Sequence, residues 1–537
     1  MTFDITQKKV LIIDDFAQMR STLKQMLQSI RIADIDMAAN GKEALELLAR
    51  RAYDIVLCDY NLGEGKDGQQ VLEEAKLRKL IRYSTIFVMI TAENTMEMVM
   101  GAMEYKPDDY LTKPFNKELL RSRLEKLFIR KGDLEQIERA IQKREYRRAI
   151  ELCDERIAKK PKNLSEFLKL KAHICLTIGD YEEAEAVARR VLAVRDVPWA
   201  MLVLGQVRFD AGNYIEAKDI FQEVVDKHRT NTEAYDWLSR TLTKLGENAQ
   251  AQEILATAAK LSPKAILRQQ ALGDLAVKNN DLEIAERAYR KAVTLGRDSV
   301  YKAPNHYTKL AKVLSKGGAG RDAIKTLDAA RKEFRGDQNA MLETTLAEGL
   351  VLKEQNREND ANSAFEEASK LFDSVGAAAG SELTMEMAKT CFLFGDKERG
   401  MRLMEDVVRN HHEDESVRQE AQQAFEAAGL GEEGKQVIAT TTKEVVHLNN
   451  RGVNLVKQGK LEAAIELFEE AVSNMPNNRT VNLNAAQALL LFMQKKGKED
   501  RHLYRVRQYL DQVKKVDPAN STLQKLFGIY EQMAAGA

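Results

Sequence analysis

Proline and glycine are scarce in this chain of 537 residues, at 8 and 29, and aromatic residues make up only 6% of it. So few backbone breakers argue for long helices and against a sandwich or barrel with frequent turns. Charge of one sign is not in excess either, with 82 Lys+Arg against 82 Asp+Glu. That balance speaks against a protein that coats nucleic acid or a membrane surface, because phosphate binding leaves a basic surplus. The four cysteines, Cys58, Cys153, Cys175 and Cys391, are scattered, so neither a disulfide framework nor a CxxC metal site is available. No run of about 18 apolar residues is present to span a membrane, and Met1-Thr2-Phe3-Asp4 opens no apolar signal segment. These absences predict a reduced, cytoplasmic protein with no membrane insertion and no nucleic-acid partner.

What the chain does have changes character near residue 130. From Lys8 to about Arg130, short apolar runs alternate with amphipathic stretches. The runs are Val10–Ile13, Ile35–Ala38, Ile55–Cys58, Ile86–Ile90 and Tyr110-Leu111. Val- and Ile-rich runs of four or five residues suit strands buried on both faces. Helical spacing occupies Ser21–Ile30, Lys42–Arg50, Val71–Leu80 and Lys117–Arg130. Five βα units in that length predict an α/β, doubly wound, five-stranded parallel sheet of flavodoxin-like size.

Beyond Gly132 the strand pattern stops and the chain repeats itself. Gly179-Asp180-Tyr181-Glu182-Glu183-Ala184, Gly212-Asn213-Tyr214-Ile215-Glu216-Ala217 and Gly459-Lys460-Leu461-Glu462-Ala463-Ala464 echo one another, and Ala217, Ala251 and Ala285 follow at intervals of 34 residues. A 34-residue helix–turn–helix period resembles tetratricopeptide repeats and implies an all-α superhelix. About nine or ten units can be counted, anchored at Ala149, Ala184, Ala217, Ala251, Ala285, Ala323, Ala361, Gly400, Ala464 and Val506. Pro161, Pro263, Pro476 and Pro518 fall where second helices should stop. The expected organisation is an α/β domain over 1–130, a first stack over 131–410, an irregular helical joint over 411–444, and a second stack over 445–537 closed by a helix at Leu523–Ala534.

Chemistry concentrates in the first domain. Asp14-Asp15 ends the first strand, Asp59 the third and Thr91 the fourth, and Lys113-Pro114 follows the fifth. Strand ends converge at the switch point of such a sheet, where ligands bind. Three converging carboxylates repel unless a hard cation holds them, and Mg²⁺ suits one or two carboxylates with water and a phosphate oxygen. A lysine and a threonine hydroxyl at the same rim supply partners for a phosphoryl group. With Asp14, Asp15, Asp59, Thr91, Tyr110 and Lys113-Pro114-Phe115 in these places, residues 8–127 resemble the receiver domain of bacterial response regulators. The resemblance implies that Asp59 is phosphorylated. It implies that Asp15, Asp59 and the Asn61 carbonyl bind Mg²⁺, with Asp14 acting largely through water. Lys113 and Thr91 would then sense the phosphoryl group, Tyr110 would change rotamer with it, and the Lys113-Pro114 bond would be cis. Two departures border the site. The loop Gly63–Gly68 is one residue longer than usual, and Lys106-Pro107 replaces the usual Gly-Ala.

The combined reading is a two-component response regulator whose phosphorylation gates a repeat adaptor. A histidine kinase or phosphotransfer protein is the expected donor, and an unidentified protein client is the expected partner of the repeats. A phosphorylation-dependent dimer is left open. The alternative is a repeat region that modulates phosphoryl flow in another signalling protein, phosphatase-like or kinase-regulating. No catalytic constellation appears after residue 130, so no enzyme activity is expected beyond self-catalysed transfer to and from Asp59. For the client, Asn450 and Asn484 lie 34 residues apart, and Asn454 and Lys457 extend the same polar face. Amides one repeat apart can hold an extended peptide backbone. Trp199 and Trp237 read as packing residues, and His411-His412 lacks a third ligand for a metal.

Overall fold

The computed structural model describes residues 6–82, 84–92, 106–517 and 520–534. Five strands, β1 (Val10–Ile13), β2 (Ile35–Ala38), β3 (Ile55–Asp59), β4 (Ile86–Thr91) and β5 (Asp109–Thr112), form one parallel sheet in the order β2-β1-β3-β4-β5. Because side chains alternate along a strand, each apolar run serves two cores. Leu11, Ile13, Val56, Cys58, Phe87 and Met89 pack on one face with α2 (Gly41–Arg50) and α3 (Gly68–Leu77). Val10, Ile12, Ile55, Leu57, Val88 and Ile90 pack on the other with α1 (Ala17–Ser29) and α4 (Lys117–Gln142). Continuous apolar runs are what such two-sided burial demands.

α4 corrects one expectation. It was expected to end near Arg130 ahead of Gly132-Asp133, but it runs unbroken for 26 residues, so the boundary at 130 falls inside a helix. An interior glycine costs about 1 kcal/mol against alanine. That cost is offset here by packing on both sides of Gly132: Leu120, Leu124 and Phe128 enter the sheet's core, while Leu134, Ile137 and Ala140 enter the first core of the helical region.

Among the described residues, every regular element after α4 is helical. The small anchors mark close helix approaches: Ala149, Ala184, Ala217, Ala251, Ala285, Ala323, Ala361, Ala464 and Val506 are all fully buried. Glycine and an aromatic ring supply the same device at other points. A Cβ on Gly205 would lie 2.4 Å from the Phe221 ring, and one on Gly273 would lie 2.5 Å from the Tyr289 ring. The turns at Gly212-Asn213 and Asn280-Asp281 also have a backbone cause. Gly212 (φ 80°) and Asn280 (φ 58°) close their helices in the left-handed region, which glycine and asparagine enter most readily. Pro161, Pro263 and Pro476 follow helix ends as expected, and Pro518 lies outside the described residues.

The chain divides into two compact units, Met1–Val313 and Leu314–Ala537. In the second, residues 411–444, expected as an irregular joint, hold a helix at Glu415–Ala427 and the start of a 27-residue helix, Gly431–Lys457. Gly434 takes the Phe425 ring as Gly452 takes that of Phe468. One helix thus closes one pair and opens the next, and the expected boundary at 444/445 falls inside it. The expected closing helix spans Ser521–Ala534, with Leu523, Leu526 and Phe527 packed against Leu510 and Val513.

Candidate functional site

The register of the sheet brings the polar residues together. Ile13 pairs with Cys58, so the next residues, Asp14 and Asp59, emerge side by side; Thr91 pairs with Thr112, immediately before Lys113. The carboxylates of Asp14, Asp15 and Asp59 each offer an oxygen within 4.8 Å of the others. Asp14 is 1% exposed and Asp59 9%, whereas Asp15 faces solvent. Lys113 Nζ lies 2.9 Å from Asp14 Oδ2 and 2.8 Å from Asp59 Oδ2. Burial pushes the Asp59 carboxyl above its ordinary range, against the pull of Lys113. Burial works to lower the Lys113 ammonium, but hydrogen bonds and charge from Asp59 and Asp14 outweigh it and raise its pKa.

The backbone is equally constrained. Lys113 N–H donates to the Thr91 carbonyl at 2.7 Å, and the Lys113-Pro114 bond is cis, as expected. Thr91 is buried at the end of β4, and Tyr110 on β5 is half-buried against the core. Asn61, with its N–H 3.5 Å from Asp59 Oδ1, begins the exposed loop after β3. Two residues escaped the sequence reading. Arg20 Nη1 donates to the carbonyls of Asp14 (2.6 Å) and Asp15 (3.0 Å), holding the acidic turn on α1. Gly68 packs on the acceptor strand, where a Cβ would lie 2.1 Å from the Asp59 carbonyl oxygen. The glycine preceding the apolar positions of α3 was the only available signal. Three hard oxygen donors at one rim fit Mg²⁺.

Of the four repeat residues, one is engaged in a contact and three lie on an exposed face. Asn484 is half-buried and donates through Nδ2 to Asn449 Oδ1 at 2.7 Å, beside Asn450. Asn450, Asn454 and Lys457 are exposed on the helix Gly431–Lys457. Trp237 stacks on Phe221 at 5.8 Å, and Trp199 packs into the core of its unit. His412 is buried against Asn478, and His411 contacts Ser381.

With this geometry in view, known proteins agree on the class. The response regulator receiver domain family matches residues 10–125, and tetratricopeptide repeat families match 170–232, 208–275, 271–338 and 448–478. The chemotaxis protein CheY-3 of Vibrio cholerae is 31% identical over 122 residues, covering 23% of this chain and 92% of that protein. The chemotaxis protein CheY of Pseudomonas aeruginosa is 29% identical over 122 residues, covering 23% of this chain and 97% of its own length. A solved Francisella response regulator receiver domain is 29% identical with a TM-score of 0.21, covering 23% of this chain and 98% of that one. The chain belongs to the response-regulator family: it carries an N-terminal receiver domain of the two-component type, followed by tetratricopeptide repeats.

Receiver domains typically bind Mg²⁺ at an acidic cluster such as that of Asp14, Asp15 and Asp59. Receiver and repeat domains are not catalytic in general. They imply phosphodonor partners for the first and protein partners for the second. Among the described residues, no helix is long and apolar enough to cross a membrane.

Proposed function

We propose that this protein is a cytoplasmic response regulator in which a phosphoryl group on Asp59 gates the protein contacts of the repeats. The observation that carries the reading is Lys113 Nζ within 2.9 Å of both Asp14 and Asp59, at the edge where three carboxylates meet. A histidine kinase or phosphotransfer protein is the proposed donor. An Asp59 carboxylate oxygen attacks phosphorus, the bond to the donor breaks, and the leaving group departs with its electron pair, leaving an acyl phosphate. Asp15, Asp59 and the Asn61 carbonyl would hold Mg²⁺, with Asp14 acting largely through water. When bound, the ion neutralises charge between the carboxylates and the incoming phosphoryl oxygens. Lys113 transfers its ion pair to the new oxygens, the Thr91 hydroxyl donates to them, and Tyr110 follows that movement. Added charge at one rim biases the loops bordering it, which is how a local modification acquires a distant readout. The exposed face around Asn450, Asn454 and Lys457 is the proposed client surface, with Asn449 and Asn484 braced behind it.

The test is phosphoryl uptake from acetyl phosphate with Mg²⁺. Wild type should label and Asp59→Asn should not, because an amide is neither the nucleophile nor an equal metal ligand. Undiminished labelling of Asp59→Asn would place the acceptor elsewhere.

A further inference from the structure

The loop beyond Asp59 is gripped from far along the chain. Lys264, in the turn before the helix Ile266–Lys278, reaches Asp67 Oδ2 at 2.8 Å and lies 4.6 Å from the centre of the Tyr60 ring. Burial works to lower the Lys264 ammonium, yet Asp67 more than offsets it and the group stays charged. Lys66 Nζ donates to the Asp298 carbonyl, and Gln70 Nε2 to the Leu295 carbonyl at 3.3 Å. Ser299 Oγ donates to Glu73 Oε2 at 3.3 Å, both residues being nearly buried. The repeats therefore hold the loop at both ends, at Tyr60 beside the acceptor and at Lys66-Asp67.

The receiver offers that loop little slack. Gly68 N–H donates to the Tyr60 carbonyl at 2.9 Å, and its position leaves no room for a Cβ beside the Asp59 carbonyl. Across the loop, a Cβ on Gly41 would lie 2.8 Å from Lys66 Cβ. Any change in the position of Asn61 on metal or phosphoryl binding must therefore be absorbed between Tyr60 and Asp67. Two events that draw on the same few residues are energetically coupled, and the coupling is reciprocal.

We propose that this clasp is a latch on the phosphorylation site: it restrains loop 61–67, opposes phosphoryl transfer to Asp59, and loosens when transfer occurs, uncovering the repeat surface around Lys264, Leu295 and Ser299. The inference rests on Asp59 being the acceptor, and it adds where and in which direction the repeats feel the modification. The extra residue in the loop has a use in this scheme, since it lets Lys66 and Asp67 reach the repeats.

The experiment uses the full chain with acetyl phosphate and Mg²⁺. The Asp59 oxygen–phosphorus bond forms as the phosphorus–oxygen bond to acetate breaks, acetate leaving with the electron pair. Lys264→Ala should raise the initial labelling rate by about 1.4- to fivefold, the range expected for removing a partly exposed ion pair. Ser299→Ala should raise it in the same direction but less. Lys309→Ala, which loses a 2.8 Å contact to Asp274 away from the clasp, should leave it unchanged. In labelled wild type, amide exchange should rise in peptides spanning 262–300 and 60–72. Equal or lower rates in both clasp variants, or unchanged exchange in fully labelled wild type, would overturn the latch. Ser299→Ala removes one hydroxyl and keeps the rate test decisive if Lys264→Ala folds poorly. Absence of labelling in every chain would strike the Asp59 reading itself, whereas labelling at equal rates would strike only the latch.

Discussion

Replacing Lys113 with alanine tests the electrostatic account of the site directly. Lys113 is 17% exposed and bridges Asp14, at 1%, and Asp59, at 12% by side chain. Removing one member of a buried ion pair leaves charge without compensation and typically costs about 3–5 kcal/mol. Two carboxylates lose the same cation here, so the receiver should weaken by that amount when divalent metal is chelated. The loss should be confined to the receiver. Both tryptophans, Trp199 and Trp237, lie in the repeats, so their fluorescence transition serves as an internal control and should move little. Amide exchange in β1 and β3 reads the receiver. Mg²⁺ should then restore much of the deficit, because the ion takes over the neutralising role. A ligand at a hundred times its dissociation constant stabilises by about 2.7 kcal/mol. The variant should also bind Mg²⁺ more tightly than wild type, where the ammonium competes for the same oxygens. Unchanged exchange in chelator, or a deficit that Mg²⁺ leaves untouched, would refute the reasoning.

Two glycines should respond to alanine in opposite directions. Gly132→Ala should stabilise by about 0.5–1 kcal/mol, since a Cβ there meets nothing within 4 Å in a helix interior. Gly205→Ala should destabilise by about 1–3 kcal/mol before that propensity gain, since its Cβ would overlap the buried Phe221 ring; denaturant melts of the pair decide it. Acid should weaken the repeats through His306, whose pKa burial and Lys309 push down to about 4, with Asp274 opposing. A base depressed in the fold is neutral and costs nothing above pH 6.5. Its penalty grows as pH falls from 6.5 and levels off below about 4, reaching at most about 3–4 kcal/mol. His306→Gln should flatten the stability profile in that window, and an equally steep profile would discount the ring.

The sheet was legible because two-sided burial leaves a plain record in Val10–Ile13, Ile55–Cys58 and Ile86–Ile90, and acids at strand ends converge wherever such strands lie parallel. Helix ends near glycines were less so. Gly132 resembles a stop, but local propensity yields to the packing of Leu134 and Ile137 beyond it. The spacing of Asn450 and Asn484 was legible, but the contacts of their side chains were not. Successive positions on a helix point about 100° apart, and the 34-residue interval fixes register in sequence without fixing which amide meets its neighbour, so Asn484 found Asn449. Nothing in the sequence announced the clasp. Lys264 and Asp67 are 197 residues apart, and Lys66 and Asp298 are 232 apart; no periodicity relates them.

The receiver and the repeats of the first unit are joined in two physically different ways, and the difference constrains how a signal can pass. α4 is covalent and continuous, and it is tied at consecutive residues to both sides: Lys131 Nζ to Asp108 Oδ2 at 2.9 Å in the receiver, and Arg130 Nε to Glu166 Oε1 at 2.5 Å in the repeats. A helix held in this manner transmits rotation but resists separation. The clasp is made of hydrogen bonds and a partly exposed ion pair, each worth on the order of 1 kcal/mol. A phosphoryl group on Asp59, as proposed, would bring up to two negative charges and about one to three charge-assisted hydrogen bonds, enough to trade against contacts of that size. Under the proposed latch, the contacts expected to yield are those of the loop, with the helix as the pivot about which they open.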